Sequence, residues 1–337
     1  MGVSGYDAVM YSPRKGAEQP VCPMWRNPWR TARPPNPRRI RAVGILVLSC
    51  WLVFGSPLGL QASADPGILT AQFINVGEGD SCWLHLPNGD DILVDGGKPW
   101  AGPAVVTFLR RHGVSHIDLL VATHGDTDHI GGLLNVLGSM RVYTAWLDSQ
   151  NCSTETCLDF YRSLGQHAVV TATVRAGQSA RWGEVTALVL NPSEPPFAAR
   201  NENSVALRIS YGAIDFLLTG DAEVGAEARM LAGGLPLEAE ILKVAHHGSD
   251  SSSSAEFLGA VRPKEAIVSV GPNAYGHPSP ETLRRLAQAG AEIWRTDGPI
   301  GSILVTTTGI TYAIGVELPI PSRVFAPLAA RGWGEEP

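Results

Sequence analysis

The sequence predicts an α/β fold for the part of the chain that follows residue 65. Short apolar runs alternate there with amphipathic segments, Gly, Pro and Asp separate them, and several apolar runs end in Asp or His. This alternation is typical of sheets covered by helices. With 337 residues, of which 44% are hydrophobic, the chain can also form a substantial core.

The apolar runs predict the elements in chain order. Strands are expected at 69–76, 81–86, 91–94, 117–122, 168–174, 185–190, 205–210, 214–218, 239–244, 265–270, 302–307 and 311–314. Helices are expected near 104–112, 222–231 and 280–289. No linker interrupts the series, so we predict one domain over residues 65–316.

The first 64 residues differ from the rest in charge and hydropathy. Residues 1–41 carry a net charge of +6 in a chain of −6, which leaves −12 for the remainder. An uncharged apolar run at 43–60 follows, and the small residues at 62–64 fit a signal cleavage site. This predicts a secreted or periplasmic chain, or one anchored by an uncleaved N-terminal helix. Translation from Met24 would shorten the leader, and a buried core helix is the alternative to export.

Two further features lie outside the series of strands and helices. Residues 317–337 are rich in proline and are predicted to form a loose tail. Five cysteines are too few for a disulfide scaffold. Cys152 and Cys157 would close a small surface loop in an oxidising compartment, or are two unrelated thiols, because closure depends on geometry that the sequence does not give.

Four potential metal ligands lie on one loop. They fall within six residues, directly after the buried strand predicted at 117–122, and are His124, Asp126, Asp128 and His129. Metal ions need several lone-pair donors that converge, and a loop at a strand end presents side chains in this way. The alternative is a polar turn with a helix-capping Asp, which explains two His and two Asp at this spacing poorly.

Two later apolar runs end in residues of the same kind. Asp221 follows the run at 216–218, and His246 and His247 follow the run at 241–245. Either feature alone is common in proteins without a metal. Three apolar strands that each end in metal-ligand residue types together indicate a dinuclear metal site.

The chain resembles the metallo-β-lactamase superfamily and, within it, the hydrolase domain of ComEC-like DNA-uptake proteins. The resemblance covers residues 69–315 and rests on FINVGEGD at 73–80, ILVDGG at 92–97, HGDTDH at 124–129, LTGD at 218–221, HHGS at 246–249 and YGHP at 275–278. It implies a four-layer αββα sandwich that holds its metals at one edge.

Two positions depart from the commonest superfamily pattern. Asp126 stands where many relatives have a His, and Asn201–Ser204 stands where many place another His. Both departures resemble the ComEC-like branch, and they make the ligand set harder, which permits Mn²⁺ as well as Zn²⁺. The resemblance implies two divalent ions with these ligands: His124 and Asp126 on one, Asp128 and His129 on the other, Asp221 between them and His246 completing the set.

The implied chemistry is hydrolysis by a hydroxide shared between the two metals. The residues expected to act in it are Asp128, which would orient or deprotonate the water, His124 and Asp221. Candidate substrate-binding residues are Asn203, Ser204, His247, Ser249 and His277.

The resemblance implies a phosphodiesterase or nuclease-like hydrolase that acts on a phosphate-containing substrate, with DNA as a candidate. The acidic body lacks the basic field that favours nonspecific nucleic-acid binding. The single apolar segment cannot form a DNA-conducting channel, so the chain corresponds at most to the hydrolase part. The alternatives are hydrolysis of an ester, lactone or β-lactam amide, and a non-catalytic surface protein that keeps the fold.

Overall fold

The computed structural model of the protein describes residues 67–148, 152–298 and 301–317. The predicted leader, its cleavage site and the tail beyond residue 317 lie outside these ranges. Within them, no helix combines the length and the apolar character that crossing a membrane requires.

The strands of the described ranges match every strand expected from the sequence and add three others. They are β1 Leu69–Phe73, β2 Cys82–His85, β3 Asp91–Val94, β4 His116–Ala122, β5 Arg141–Leu147, β6 Val170–Thr173, β7 Ser179–Trp182, β8 Val185–Asn191, β9 Ala206–Tyr211, β10 Ile214–Leu218, β11 Ile241–Lys243, β12 Glu265–Val268, β13 Glu292–Arg295, β14 Ser302–Thr307 and β15 Tyr312–Glu317. The additions are β5, β7 and β13.

The helices include the three that were expected. They are α1 Gly102–Arg111, α2 Thr127–Ile130, α3 Leu133–Ser139, α4 Glu155–Gln166, α5 Val224–Ala232, α6 Ala255–Val261 and α7 Pro280–Gln288, with 3-10 turns at Pro99–Ala101, Asn201–Asn203 and Ala245–Gly248. Side-chain caps fix several helix starts: Thr154, Ser254 and Ser279 each accept a hydrogen bond from a backbone N–H of the first turn.

The strands form two mixed sheets. The first has the order β15-β14-β1-β2-β3-β4-β5-β6, and the second has the order β13-β12-β11-β10-β9-β8-β7. Pairing is antiparallel from β15 to β3 and parallel from β3 to β6. In the second sheet β10 to β13 are parallel and β7 to β10 antiparallel. The prediction of an α/β fold is therefore confirmed.

Alternating side chains within single strands build the layers. In β10, Phe216 and Leu218 face a core shared by the two sheets, whereas Leu217 faces a core between its sheet and α5 to α7. On the other sheet, Leu93 of β3 faces a third core that includes residues of α1, α3 and α4. Because strands buried on both faces are apolar at every position, these runs were recognisable in the sequence. The helix–sheet–sheet–helix arrangement agrees with the sandwich that the resemblance implied.

Candidate metal centre

The candidate site lies where strand ends from both sheets meet. β4 of the first sheet ends at Ala122, and β10 and β11 of the second end at Leu218 and Lys243. The loops that leave these ends carry the residues predicted to bind metal. Ligand sites outside the carboxyl ends of parallel strands are common in α/β proteins, because several loops converge there.

Three buried imidazoles point at one carboxylate. Measured to Oδ2 of Asp221, the Nε2 atoms of His124, His129 and His247 lie at 3.9, 3.2 and 3.6 Å. None of these three Nε2 atoms has a hydrogen-bond partner among the described residues. Buried polar atoms normally find partners, so a converging set without them indicates a site built for something else, such as a cation.

The two carboxylates of the metal loop lie on the solvent side of this cluster. Asp126 Oδ2 is 3.5 Å from His124 Nε2, and Asp128 Oδ2 is 3.8 Å from His247 Nε2. Their side chains are 35% and 26% exposed, whereas that of Asp221 is 5% exposed. The cluster therefore has a buried floor and an accessible acidic rim.

Asp95, which belongs to the ILVDGG motif but was not predicted as a site residue, contacts His129 on its Nδ1 side. Asp95 Oδ2 lies 2.8 Å from His129 Nδ1, and its two oxygens accept hydrogen bonds from the Thr123 backbone and hydroxyl at 2.9 and 2.7 Å. Asp95 adopts φ +58°, a left-handed conformation that Asp tolerates better than most residues. With Nδ1 occupied as a donor, His129 presents its Nε2 lone pair to the cluster.

The Nδ1 atom of His247 is contacted in the same way as that of His129. Its Nδ1 lies 3.0 Å from the Ser269 carbonyl oxygen and 3.3 Å from Asp80 Oδ1, and Asp80 forms a buried ion pair with Lys243. Asp80 reaches this position because its loop packs directly on the metal loop. A Cβ at Gly79 would lie 2.3 Å from the Asp128 carbonyl oxygen, so only glycine fits there.

His246 lies at the edge of the cluster. Its Nε2 is 3.8 Å from Asp221 Oδ2, and its Nδ1 faces Glu223 Oε1 at 3.1 Å. Both His246 and His247 have positive φ, 49° and 53°, and the backbone turns sharply between them. Such conformations cost free energy in residues other than glycine and occur at sites where side-chain placement requires them.

The residues predicted to bind substrate fall into two groups. Asn203 and Ser204 are fully buried: the Asn203 amide binds backbone atoms of Phe197 and Ala199, and Ser204 Oγ accepts from the Asp221 N–H and lies 3.4 Å from His124 Nδ1. These two residues therefore lie on the buried side of the site, where Ser204 contacts Asp221 and His124. Ser249 is buried against Ser251. His277 lies closer to the opening, with its ring centroid 5.3 Å from that of His246.

The charges of the cluster shift its proton equilibria. Burial raises the pKa of Asp221, but the charges of His129 and His247 outweigh it and hold the pKa well below its ordinary value. Burial lowers the pKa of His129, but Asp221 and Asp95 outweigh it and raise the pKa well above its ordinary value. Without a metal, the carboxylates thus hold protons on the imidazoles, and a divalent cation would replace those protons.

The donor set fits divalent metal ions. In each of two groups, the ligand atoms lie within 4.8 Å of one another and belong to residues singled out in the sequence. The first group is His124, His129 and Asp221, and the second is Asp128, His129 and His247. Two other groups include Asp80. Since Lys243 already neutralises Asp80, the first two groups are the better candidates for metal binding.

Comparison with known proteins agrees with this arrangement. The family description "Metallo-beta-lactamase superfamily" matches residues 77–271. The chain is 29% identical over 242 residues to ComE operon protein 3 of Bacillus subtilis, covering 66% of this chain and 31% of that protein. It is 31% identical over 227 residues to competence protein ComA of Neisseria gonorrhoeae, covering 66% and 30%. Recombination protein 2 of Haemophilus influenzae is 30% identical over 222 residues, with 63% and 26% covered.

The chain thus spans less than a third of the length of these three curated relatives. The family match, in contrast, covers more than half of this chain, from the loop of Asp80 to the strand end after β12. The chain belongs to the metallo-β-lactamase superfamily, and its relatives are ComEC-like competence proteins.

Proposed function

We propose that the protein is a metal-dependent hydrolase that cleaves phosphodiester bonds at a dinuclear site. The observation that carries the proposal is the convergence on Asp221 of three imidazole Nε2 atoms without hydrogen-bond partners, beside the partly exposed carboxylates of Asp126 and Asp128. Nitrogen and carboxylate ligands in this mixture suit Zn²⁺ and Mn²⁺.

The proposed ligands divide between the two ions. His124 and Asp126 would hold one, Asp128 and His129 would hold the other, and Asp221 would lie between them. The resemblance assigned the remaining place to His246, but the distances favour His247, whose Nε2 is nearer to Asp128 and Asp221 and whose Nδ1 is already oriented. His246 would then help to shape the opening.

Two divalent ions would activate water and neutralise charge on the phosphoryl oxygens. Residues of the chain would orient the water molecule and the metal-binding imidazoles. Asp128 lies on the accessible rim, where its free oxygen can orient a water molecule and accept its proton. Asp95 and Asp80 keep His129 and His247 in the orientation that directs Nε2 to the cluster.

Exposed aromatic rings beside the site favour a nucleic acid as the substrate. Trp100 is 64% exposed and packs on Gly77, in the loop of Asp80, and Tyr275 is 74% exposed and stacks on His277 at 5.7 Å between ring centroids. Exposed rings of this kind can stack on the bases of a single strand. The names of two relatives, competence protein ComA and recombination protein 2, agree with a substrate of this class.

The purified chain, loaded with Mn²⁺ or Zn²⁺, should be offered bis-p-nitrophenyl phosphate, a single-stranded oligonucleotide and nitrocefin. We expect metal-dependent cleavage of the first two, abolished by EDTA and restored by added metal. Cleavage of nitrocefin alone would contradict the proposal and favour hydrolysis of an amide. Absence of turnover by a fully metal-loaded protein would favour a non-catalytic role.

We also propose that the chain functions outside the cytoplasm. Cys152 and Cys157 are joined by a disulfide, which resolves the alternatives left by the sequence in favour of a closed loop. Disulfides form and persist in oxidising compartments. Cell fractionation and N-terminal sequencing of the mature protein would test this, and an intact N-terminus on a soluble cytoplasmic protein would contradict it.

A further inference from the structure

Arg200 brings a cationic side chain to the accessible rim of the metal centre. It directly precedes the 3-10 turn Asn201–Asn203, and its guanidinium pairs through Nη1 with the carboxylate of Asp126. Through Nη2 it donates to Ser153 Oγ at 2.5 Å. The Arg200 side chain is 24% exposed, so the group is neither buried in the core nor free in solvent.

The surroundings of Arg200 are otherwise acidic. Carboxylates near the candidate metal centre are Glu78, Asp80, Asp95, Asp126, Asp128, Asp221 and Glu223. Lys243 also reaches the cluster, but its side chain is only 4% exposed and forms an ion pair with Asp80. Within the described ranges, Arg200 is therefore the fixed cation that contacts this site from the solvent side.

Hydrogen bonds from two buried asparagines, Asn191 and Asn203, hold the Arg200 loop in place. The Asn203 amide accepts from the Phe197 N–H at 2.8 Å and donates to the carbonyl oxygens of Phe197 and Ala199 at 2.9 and 2.8 Å. Asn191 donates to the Glu202 and Ser204 carbonyl oxygens. These hydrogen bonds fix the loop, so the guanidinium of Arg200 has a defined position. Less conformational entropy is then lost when a ligand binds to it.

Ser153, the second partner of Arg200, belongs to a loop that a disulfide closes. Ser153 lies within the loop closed by Cys152 and Cys157. The same loop packs on the metal loop, since a Cβ at Gly125 would lie 3.0 Å from Cys157 Sγ. Arg200 thus sits between the metal loop and the disulfide loop and contacts a side chain from each.

We propose that Arg200 binds a phosphoryl oxygen of the substrate and makes the site selective for phosphate esters, an inference that rests on the proposed function. Nη1 of Arg200 binds Oδ1 of Asp126, whereas Oδ2 of Asp126 faces His124, so ligation of a metal ion through Oδ2 would leave the guanidinium in place. The N–H groups of Arg200 outside its two contacts would then be available to a substrate. A guanidinium offers planar, forked N–H donors that match the oxygens of a phosphate. The contacts with Asp126 and Ser153 keep the guanidinium oriented.

A purely structural ion pair between Arg200 and Asp126 predicts different behaviour. In that case removing the guanidinium would leave Asp126 without its partner, disturb the metal loop and lower the metal content. If Arg200 instead serves to bind phosphate, its removal leaves the metal content unchanged, because Oδ2 of Asp126 still faces His124. Phosphate binding would weaken at the same time.

The variants that test this are Arg200→Ala and Arg200→Lys, with Arg162→Ala as the matched control. Arg162 is an exposed arginine of the neighbouring helix α4, paired with Asp159 and remote from the cluster. For each Mn²⁺-loaded protein, metal content is measured by elemental analysis, the Kd of inorganic phosphate by calorimetry, and kcat and KM with bis-p-nitrophenyl phosphate.

We expect Arg200→Ala to weaken phosphate binding and raise KM by roughly 10- to 100-fold with unchanged metal content, which is the usual effect of losing charge-assisted hydrogen bonds. Arg200→Lys should recover part of the loss, because an ammonium keeps the charge but not the fork. The Arg162→Ala protein should match the unmodified chain.

An unchanged phosphate Kd in Arg200→Ala would overturn the inference, and so would loss of metal from that variant. The outcome is separable from that of the proposed function. An unmodified protein that binds phosphate through Arg200 without cleaving the diester would contradict the proposed function alone. One that cleaves the diester with the same KM after Arg200→Ala would contradict this inference alone.

Discussion

Two of the three buried imidazoles of the candidate metal centre, those of His129 and His247, are oriented by groups that contact Nδ1. Asp95 faces Nδ1 of His129, Asp80 and the Ser269 carbonyl oxygen face Nδ1 of His247, and these contacts direct both Nε2 atoms inwards. Such supports fix the tautomer and raise the basicity of the ligand nitrogen. Asp95 and Asp80, which lie outside the proposed ligand set, should therefore still control how tightly a metal ion binds.

Replacing Asp95 by Asn should weaken metal binding by about 10- to 100-fold, because the amide no longer stabilises His129 as a ligand. Asn tolerates the left-handed backbone of this position, so the fold should persist. A chelator-competition titration measures the affinity. Asp159→Asn, on the surface of α4, is the control, and equal affinities for the two variants would contradict the expectation.

The two adjacent histidines should differ in their effect on metal content. His247→Gln removes a buried nitrogen that lies 3.6 Å from Asp221 Oδ2, and we expect it to lower the metal stoichiometry. His246→Gln changes a residue at the edge of the cluster and should keep both ions while altering KM. Elemental analysis and steady-state kinetics distinguish them, and loss of metal only from His246→Gln would restore the assignment implied by the resemblance.

At the scale of elements, strands with a short continuous apolar run were predictable from the sequence. β3 contains the buried run 92–94 and β10 the buried run 216–218. β5, β7 and β13 were missed because exposed or half-exposed positions interrupt their apolar pattern. Helix α4 was missed for a related reason, since Leu158 and Tyr161 are exposed and blur its amphipathic pattern.

The disulfide loop before α4 should contribute to stability and to the placement of Arg200. Closing so short a loop is worth about 2 kcal/mol, so Cys152→Ser should lower the free energy of unfolding in urea by about that amount. The variant should also raise KM for a phosphodiester, because Ser153 loses its fixed position.

Ser153→Ala separates these two effects, since it keeps the cross-link and removes the hydroxyl that binds Arg200. We expect this variant to retain the unfolding free energy of the unmodified chain and to reproduce only the rise in KM. Identical KM values for Ser153→Ala and the unmodified protein would show that the loop acts on stability alone.

At the scale of the whole molecule, the strand-end motifs predicted where the centre lies but not everything that surrounds it. Arg200 and its partner Asp126 are 74 positions apart, and Lys243 meets Asp80 only because β11 and the loop after β1 end at the same edge. A single sequence shows residue types at strand ends and does not show such distant pairs. Nothing in the sequence alone therefore indicated that Arg200, in a loop, and Lys243, in an apolar strand, lie at the candidate metal centre.

The cluster also gives the metal-free protein a characteristic pH dependence. The pKa values of His129 and His247 are raised from the ordinary 6.5, so their contribution to stability is present below pH 6.5 and is lost as the pH rises through the folded-state values. The pKa of Asp80 is lowered from 3.8 to about 2, and that of Asp221 is lowered well below 3.8, so their contributions are lost as the pH falls below 3.8.

We therefore expect the EDTA-treated protein to have its highest Tm between roughly pH 4 and 6.5 and to lose stability above that range. Metal-loaded protein should gain stability over the same alkaline range, because metal binding requires unprotonated imidazoles. Thermal unfolding followed by circular dichroism across pH 3–9 tests both statements. A metal-free Tm that rises steadily from pH 6 to 9 would contradict this expectation.

The junction of the two sheets also has a consequence for how the chain folds. His124 and Asp128 follow β4, whereas Asp221 and His247 come from strand ends nearly a hundred or more positions later, so neither half of the domain contains a complete ligand set. Contacts between such distant segments are costly to close and tend to form late. Tight metal uptake should therefore begin only after the two sheets have docked, and the rate at which a refolding chain takes up metal would report the time of that docking.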